Sequence, residues 1–383
     1  MVLLLALLIT MGFCIGLVTN GILERIIWVL TSALAFIFLK DNRSGYRLKI
    51  KRIAIGVISG YLLFICILYF FQYKSEVNRY IAKNHIGNTN KAVILVHEGE
   101  PATYQLPVVL RNQLEASKGI KILTLPFKLF VAKLNYEGYS SSSNNSFYTE
   151  LKHSLSNSFY NRFTFYNSFL NQKPYFNEVL IKAMSDGNGE ILVCPIILTE
   201  AHNLKEINDH VQKINPMQYK IAVKSTNALW DSDELATECI SWLNGFIEKS
   251  QRSKAGILII GEEYEEGKES NNYVKQGILF REKIKDLLVQ EGYNSRHIKD
   301  CYLHRGLIIN EMEALMAHAV KEIYVFQAAS LYEDINYKRK IEGILKDIET
   351  PKEVDIHYIT GWQYQNGIYN ELFKRIKLLD MQI

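Results

Sequence analysis

Three long apolar runs open the chain, and a regular alternation of shorter apolar patterns follows them. The runs cover residues 2–19, 26–39 and 53–71. A helix needs about 20 residues to cross a hydrocarbon layer of about 30 Å. The first and third runs are close to that length, and the second reaches it when Ile22 and Leu23 are included. The pattern therefore predicts a membrane anchor of three transmembrane helices over residues 1–72, followed by a linker over 73–90.

The loops around these runs predict an orientation. A cleaved signal peptide is the alternative interpretation of residues 1–19, but no basic segment precedes this run and two further apolar runs follow it. Between the second and third runs, one acid, Asp41, accompanies six basic residues: Lys40, Arg43, Arg47, Lys49, Lys51 and Arg52. Short basic loops stay on the cytoplasmic side. The sequence therefore predicts a multi-pass protein of the cell membrane, in contact with the lipid bilayer, whose chain after Phe71 is extracytoplasmic.

The rest of the chain has the pattern of an α/β protein. Short β-branched runs alternate with longer amphipathic runs, as a mostly parallel sheet requires. The predicted strands cover residues 92–97, 120–126, 190–198, 219–223, 256–261, 298–303, 322–327 and 354–359. Residues 127–171 are predicted to be an insertion holding one or two helices. Because the same order occurs twice, we expect a duplication, with one lobe over 91–250 and a second over 251–383. One continuous sheet is the alternative.

Charge and cysteine content narrow the range of functions. The formal net charge of +4 comes largely from the basic loop, so the sequence predicts no nucleic-acid partner. The five cysteines include no Cys-x-x-Cys pair, which argues against a zinc ribbon or a thioredoxin-type redox motif.

Histidines and carboxylates follow the first and third predicted strands. His97 ends the first strand within the segment HEGEP, and the third strand leads into Glu200, His202 and Glu206. Doubly wound sheets bind ligands outside the carboxyl ends of their strands. Imidazoles and carboxylates form a mixed set that suits a divalent transition metal, and a neutral histidine can accept a proton near pH 7. The alternative is that the histidines are hydrogen-bonding loop residues and the glutamates are solvated.

Two segments resemble the type II chelatases, the sirohydrochlorin cobalto-/ferrochelatase-like proteins. AVILVHEGEP is similar to their first strand and its His-Gly-Ser-like turn, and GNGEILVCPIILTEAHNLKEI resembles a later strand followed by Gly-x-His-x-x-x-Asp-Ile. The matching places are held by Pro195, His202, Glu206 and Ile207. The sequence departs from the pattern because Glu98 separates His97 from Gly99, Glu200 stands at a frequent Gly, and Glu206 replaces Asp.

The resemblance implies a site for a metal and a tetrapyrrole. It implies that His97 and His202 bind the metal and accept the pyrrole protons in catalysis, that Glu206 or Glu200 orients an imidazole, and that Glu98, Gly99 and Glu200 belong to the binding site for the metal or tetrapyrrole. The first hypothesis is a chelatase that inserts cobalt, iron or nickel into a tetrapyrrole such as a sirohydrochlorin or porphyrin, or removes it. The alternative is a non-catalytic module that binds the metal or tetrapyrrole at the membrane surface for uptake, with a membrane transporter as partner. A structural or sensory role without a ligand is the third.

The second lobe lacks these histidines. Its first strand runs into GEEYEEG (261–267) and its third into FQAASLYEDI (326–335). We expect a solvated acidic loop at the former and a structural role for this lobe as the wall of a cleft.

Overall fold

The computed structural model describes most of the chain, in two compact units. It covers residues 2–41, 46–72, 90–99, 101, 103–116, 119–137, 144–200, 202–263, 271–331, 335–360 and 365–381. The first unit comprises residues 1–78 and 101–141, and the second comprises 79–100 and 142–383. Apart from Asn90, the predicted linker over 73–90 lies outside the described residues.

The first unit begins with three apolar helices at the predicted places. They are α1 (Val2–Val18), α2 (Gly21–Asp41) and α3 (Tyr46–Gln72). The segments Gly21–Lys40 and Ile50–Phe70 are long and apolar enough to cross a membrane, and α1 is a shorter apolar helix. By length and composition, α2 and α3 are therefore candidate membrane-spanning helices.

Glycines set the distance between these helices. A side chain at Gly56 would lie 2.6 Å from the Leu3 carbonyl oxygen, and one at Gly60 would lie 2.6 Å from that of Leu7, so α3 packs on α1 through its glycine face. On α1, Gly16 similarly faces the Trp28 ring of α2. Small residues four positions apart permit close packing where the solvent is lipid, because van der Waals contact replaces the hydrophobic effect there.

The second part of the first unit is helical. It contains α4 (Leu106–Ala116), a 3-10 helix (Gly119–Thr124) and α5 (Leu125–Tyr136). The strand predicted over 120–126 is therefore wrong. Short apolar runs do not distinguish a strand from a helix, and Pro126 in the first turn of α5 starts a helix rather than ending a strand.

The second unit contains two four-stranded parallel sheets. The first lobe consists of β1 (Lys91–His97), α6 (Asn144–Ser158), β2 (Phe163–Phe169), α7 (Phe176–Ser185), β3 (Glu190–Ile196), α8 (His202–Ile214), β4 (Ala222–Ser225) and α9 (Asp233–Asn244). The second consists of β5 (Gly256–Glu263), α10 (Asn272–Gln290), β6 (Ile298–Leu303), α11 (Arg305–Ala317), β7 (Glu322–Gln327), α12 (Ile335–Lys346), β8 (Asp355–Ile359) and α13 (Gln365–Met381).

The two sheets have the same topology. Their strand orders are β2-β1-β3-β4 and β6-β5-β7-β8, with parallel pairing throughout. The α/β fold with two similar lobes is confirmed, and the continuous sheet is excluded for the described strands. The second strand of the first lobe along the chain is β2, which lies in the stretch predicted as a helical insertion.

The lobes share one hydrophobic core. Although α13 follows β8, it packs against α6, α9 and β3 of the first lobe, and α9 packs against α10 of the second. Leu95 and Leu192 of the first sheet belong to the same buried cluster as Ile257, Phe280 and Leu372. The final helix thus packs on the lobe that contains β1 and its last residue, His97.

Candidate functional site

His97 lies at the carboxyl edge of the first sheet. It ends β1, the second of the four strands in spatial order, and pairs in register with Phe169 of β2 and Ile196 of β3. Because the strands are parallel, the segments that follow β1 and β3 leave the sheet at this same edge. The backbone arrangement on which the predicted site depends is therefore present.

The imidazole of His97 lies inside an aromatic cluster. Only 2% of the residue is exposed, and its ring centroid is 4.4 Å from that of Tyr148 and 5.3 Å from that of Phe169. Its Nε2 atom lies 3.4 Å from Oδ1 of Asn167, which is long for a hydrogen bond. The amide of Asn167 is held in turn, since its Nδ2 donates to the Tyr148 carbonyl at 2.8 Å. The packing fixes the ring more than its polar contact does.

Burial determines the protonation state of this imidazole. Desolvation lowers the pKa of His97 to about 3, and the contact with Asn167 opposes that shift only in part. His97 is therefore neutral throughout the physiological pH range and retains a nitrogen lone pair for a ligand. A proton acceptor working near pH 7 requires a much higher pKa.

Glu98 joins three elements at the sheet edge. Its Oε1 accepts a hydrogen bond from Nδ2 of Asn203, in the first turn of α8, at 2.5 Å. Its Oε2 accepts from Oγ of Ser330, which follows β7 in the second lobe, at 2.9 Å. A second link between the lobes lies nearby, where the Glu200 amide donates to Oε1 of Gln276 on α10 at 2.8 Å. The side chain of Glu98 after β1 and the backbone amide of Glu200 after β3 therefore connect the lobes at this edge.

Gly99 occupies a conformation that favours glycine. Its φ angle is +72°, and a Cβ there would lie 2.8 Å from the Phe169 ring. The turn after His97 thus passes directly against the aromatic cluster. This close approach explains why glycine occupies the position.

The α8 residues are only partly described. His202 begins α8, but its side chain lies outside the described residues, so the separation of the two imidazoles stays a prediction. Oε1 of Glu206 lies 3.5 Å from Nε2 of His210, one turn further on. His210 is half-buried beside the Phe176 ring rather than fully exposed to solvent.

The metal-ligating side chains do not converge into a complete site within the described part of the chain. There, no group of three or more His, Cys, Asp or Glu residues could hold a metal ion. The described residues supply one imidazole, His97, and neighbouring carboxylates that contact protein groups.

The equivalent edge of the second lobe holds an ion pair. In the first lobe Ala92 of β1 pairs with Ile191 of β3, and in the second lobe Gly256 of β5 pairs in the same way with Ile323 of β7. Ala92 and Gly256 are therefore equivalent, and at the same distance further along the strands Gly261 is the counterpart of His97. A Cβ at Gly261 would overlap the guanidinium of Arg281, a residue only 1% exposed.

Two carboxylates surround this guanidinium. Nη1 of Arg281 lies 2.7 Å from Oε2 of Glu262, and its Nε lies 3.6 Å from Oδ2 of Asp300. Glu262 is thus paired and not part of a solvated loop. Residues 264–267 lie outside the residues that the structure describes. Sequence reasoning missed Arg281, since on the helical pattern of α10 it resembles any surface arginine. The signal that could have found it is Gly261, a glycine where the first lobe has His97.

Comparison with known proteins gave similarity to solved structures. No family model matches the sequence, and no curated protein matches it. SirB from Bacillus subtilis with Fe3+ is 13% identical with a TM-score of 0.49, over 76% of this chain and 96% of that chain. The sirohydrochlorin chelatase SirB from Bacillus subtilis subspecies spizizenii in complex with cobalt is 16% identical with a TM-score of 0.44, over 76% of this chain and 94% of that chain. A LacI transcriptional regulator from Bacillus cereus subsp. cytotoxis is 11% identical with a TM-score of 0.30, over 76% and 91%.

Proposed function

We propose that this chain is a membrane-associated, chelatase-like protein that binds a divalent transition metal, free or within a tetrapyrrole, beside the carboxyl ends of β1 and β3. The observation that carries the proposal is His97, a neutral imidazole at the end of β1. Neutral imidazole is a common metal ligand, and no proton has to leave His97 before it binds. His202 is the proposed second ligand, on the basis of the resemblance of its segment to the Gly-x-His-x-x-x-Asp-Ile pattern.

The aromatic cluster around His97 favours a flat ligand. Tyr148 and Phe169 pack beside the imidazole and are buried with it, and pockets for organic ligands combine such apolar groups with a few polar ones. Glu98, Gly99 and Glu200 are the proposed contacts at the rim. Imidazole and carboxylate together suit cobalt, iron or nickel.

Binding without turnover is the better supported form of the proposal. Insertion of a metal requires groups that accept the pyrrole protons, and burial makes His97 a poor acceptor. The Glu98 carboxylate is already hydrogen-bonded to Asn203 and Ser330. Such a module would serve uptake, with a membrane transporter as partner. Chelation is the second candidate, and the paired motifs around His97 and His202 favour it.

The proposal includes the membrane anchor. We assign residues 1–72 to three membrane helices, with the second unit outside the cytoplasm. The two long apolar segments and the basic loop after α2 support this assignment.

The test uses the full chain in detergent. Co2+ is titrated with and without a porphyrin-type macrocycle into the native protein, His97→Phe and His210→Ala. His97→Phe keeps a ring in the aromatic cluster but removes both nitrogens, so we expect affinity to fall at least about tenfold with the fold retained. His210→Ala is the matched histidine control and should bind normally. Retained binding by His97→Phe would contradict the proposal, and a Soret change beyond one equivalent of protein would identify turnover.

A further inference from the structure

The exposed face of α5 is apolar. Phe127, Val131 and Leu134 are 59%, 55% and 43% exposed, and their spacing puts them on one face of the helix. Leu123, one turn earlier, is also exposed. The other described side chains of α5 are buried or half-buried. A helix that faces water shows the reverse pattern, with its polar residues outside.

The basic residue Lys133 lies on the inner side of α5. It is buried, and its Nζ forms an ion pair with Oε1 of Glu24 at 2.7 Å. Glu24 lies in the first turn of α2. The charge of Lys133 is therefore neutralised within the unit, and Lys128, the other basic residue of α5, is half-buried, so the fully exposed side chains of the helix are apolar.

A hydrogen bond shows at which point along α3 the segment before α5 packs. The Tyr61 hydroxyl donates to the Leu123 carbonyl. Tyr61 lies nine residues before Phe70, the end of the apolar span of α3, which corresponds to about 13 Å along the helix axis. Leu123 thus lies near the middle of that span, whereas Lys133 reaches the end at which α2 begins.

We infer that α4, the 3-10 helix Gly119–Thr124 and α5 form a re-entrant helical hairpin whose apolar face contacts lipid acyl chains. Helices α4 and α5 have 11 and 12 residues, too short to span a bilayer but suited to a segment that enters and leaves on one side. The exposed face of α5 adds to the apolar surface that α2 and α3 present, for example at Val29 and Leu62. The inference rests on the proposed membrane association and not on the proposed ligand.

The experiment measures the surroundings of single spin labels in the full chain, reconstituted in phosphatidylcholine–phosphatidylglycerol nanodiscs. Cys66 is the one exposed cysteine of the five, so Cys66→Ser provides the background. Labels are attached at Phe127→Cys and Val131→Cys. Val29→Cys on α2, 69% exposed, is the lipid control, and Met217→Cys in the second unit, 81% exposed, is the water control.

Collisions with oxygen report lipid, and collisions with a water-soluble nickel chelate report water. We expect the labels at 127 and 131 to match the label at 29, with oxygen strongly favoured. Nickel accessibility equal to that at 217 would overturn the inference. Protection of the labels from both reagents, together with dipolar broadening of their spectra, would also overturn the inference, because it would assign the face to a second copy of the chain. Water-like behaviour at 29 would reject membrane association itself, and Co2+ binding in the same samples tests the proposed function separately.

Discussion

The carboxyl edges of the two sheets have the same backbone and different side chains. In the first lobe, β1 ends in His97, a neutral ring held by aromatic packing. In the second lobe, Gly261 takes the equivalent place and the guanidinium of Arg281 fills the adjacent space, paired with Glu262. One strand end thus carries an uncharged imidazole, while the other is closed by internal charge pairing.

Burial of a neutral ring at one strand end and of a charged pair at the other has different energetic costs. A buried charge requires a partner, because desolvation costs several kcal/mol per ion. A neutral imidazole has no charge to desolvate, so its burial costs less, and His97 is buried with one long polar contact, to Asn167. The second edge is therefore expected to support stability, and the first to support binding.

The largest expected effect is at Arg281. Arg281→Met should lower the free energy of unfolding by about 3 kcal/mol, because it removes the buried cation and leaves the half-buried Glu262 without its partner. Denaturant titration of the full chain in detergent measures this. Arg305→Met is the matched control, since its pair with Asp347 is solvent-exposed and should contribute about 1 kcal/mol or less. Equal losses in the two variants would contradict a structural role specific to the second edge.

The next effect is the pH dependence of stability that His97 produces. Its pKa is about 3 in the folded protein and about 6.5 when unfolded, so the unfolded chain binds the extra proton between these values. The contribution of His97 is complete above about pH 6.5 and is lost progressively as the pH falls toward 3. Unfolding titrations of the native chain and of His97→Phe measure it by difference. Parallel pH profiles for the two proteins would show that His97 is not buried as a neutral ring.

The smallest expected effect is the link between the lobes at Glu98. Glu98→Ala and Ser330→Ala should couple by about 1 kcal/mol in a double-mutant cycle, because the carboxylate accepts a hydrogen bond across the lobes. Asn203→Ala paired with Glu98→Ala gives the corresponding value within the first lobe. Strict additivity of Glu98→Ala and Ser330→Ala would mean that the edge is not held together by this contact.

The sequence predicted the second lobe better than the first. Its four strands are compact β-branched runs such as GILIIG, bounded by helices of ordinary length, and all four were found. In the first lobe, β2 has the sequence FTFYNSF, whose Asn167 and Ser168 interrupt the apolar pattern, and a 65-residue separation from β1 hid its pairing. The apolar run at 120–126 was the more obvious strand, although it belongs to the hairpin.

The candidate site could be predicted in position but not in environment. Strand order put His97 at the correct edge, since this follows from parallel pairing alone. Its neighbours Tyr148, Asn167 and Phe169 come from α6 and β2, within the stretch assigned to an insertion, so the burial and low pKa of the ring were not foreseeable. The glycine contacts of α1 and α3 were also missed, although Gly56 and Gly60 have the spacing of a lipid-phase packing motif.

The order of the chain has a consequence for biosynthesis. β1 pairs with β2 and β3, and both are translated only after residues 101–141. The ribosome therefore releases one strand, then the whole hairpin, and only then the partners that complete the sheet. A nascent chain arrested before Phe163 should expose an unpaired β1 together with the apolar face of α5. Any fragment that starts at β1 to remove the anchor inherits the same apolar segment, so a soluble version requires replacement of residues 101–141 as well.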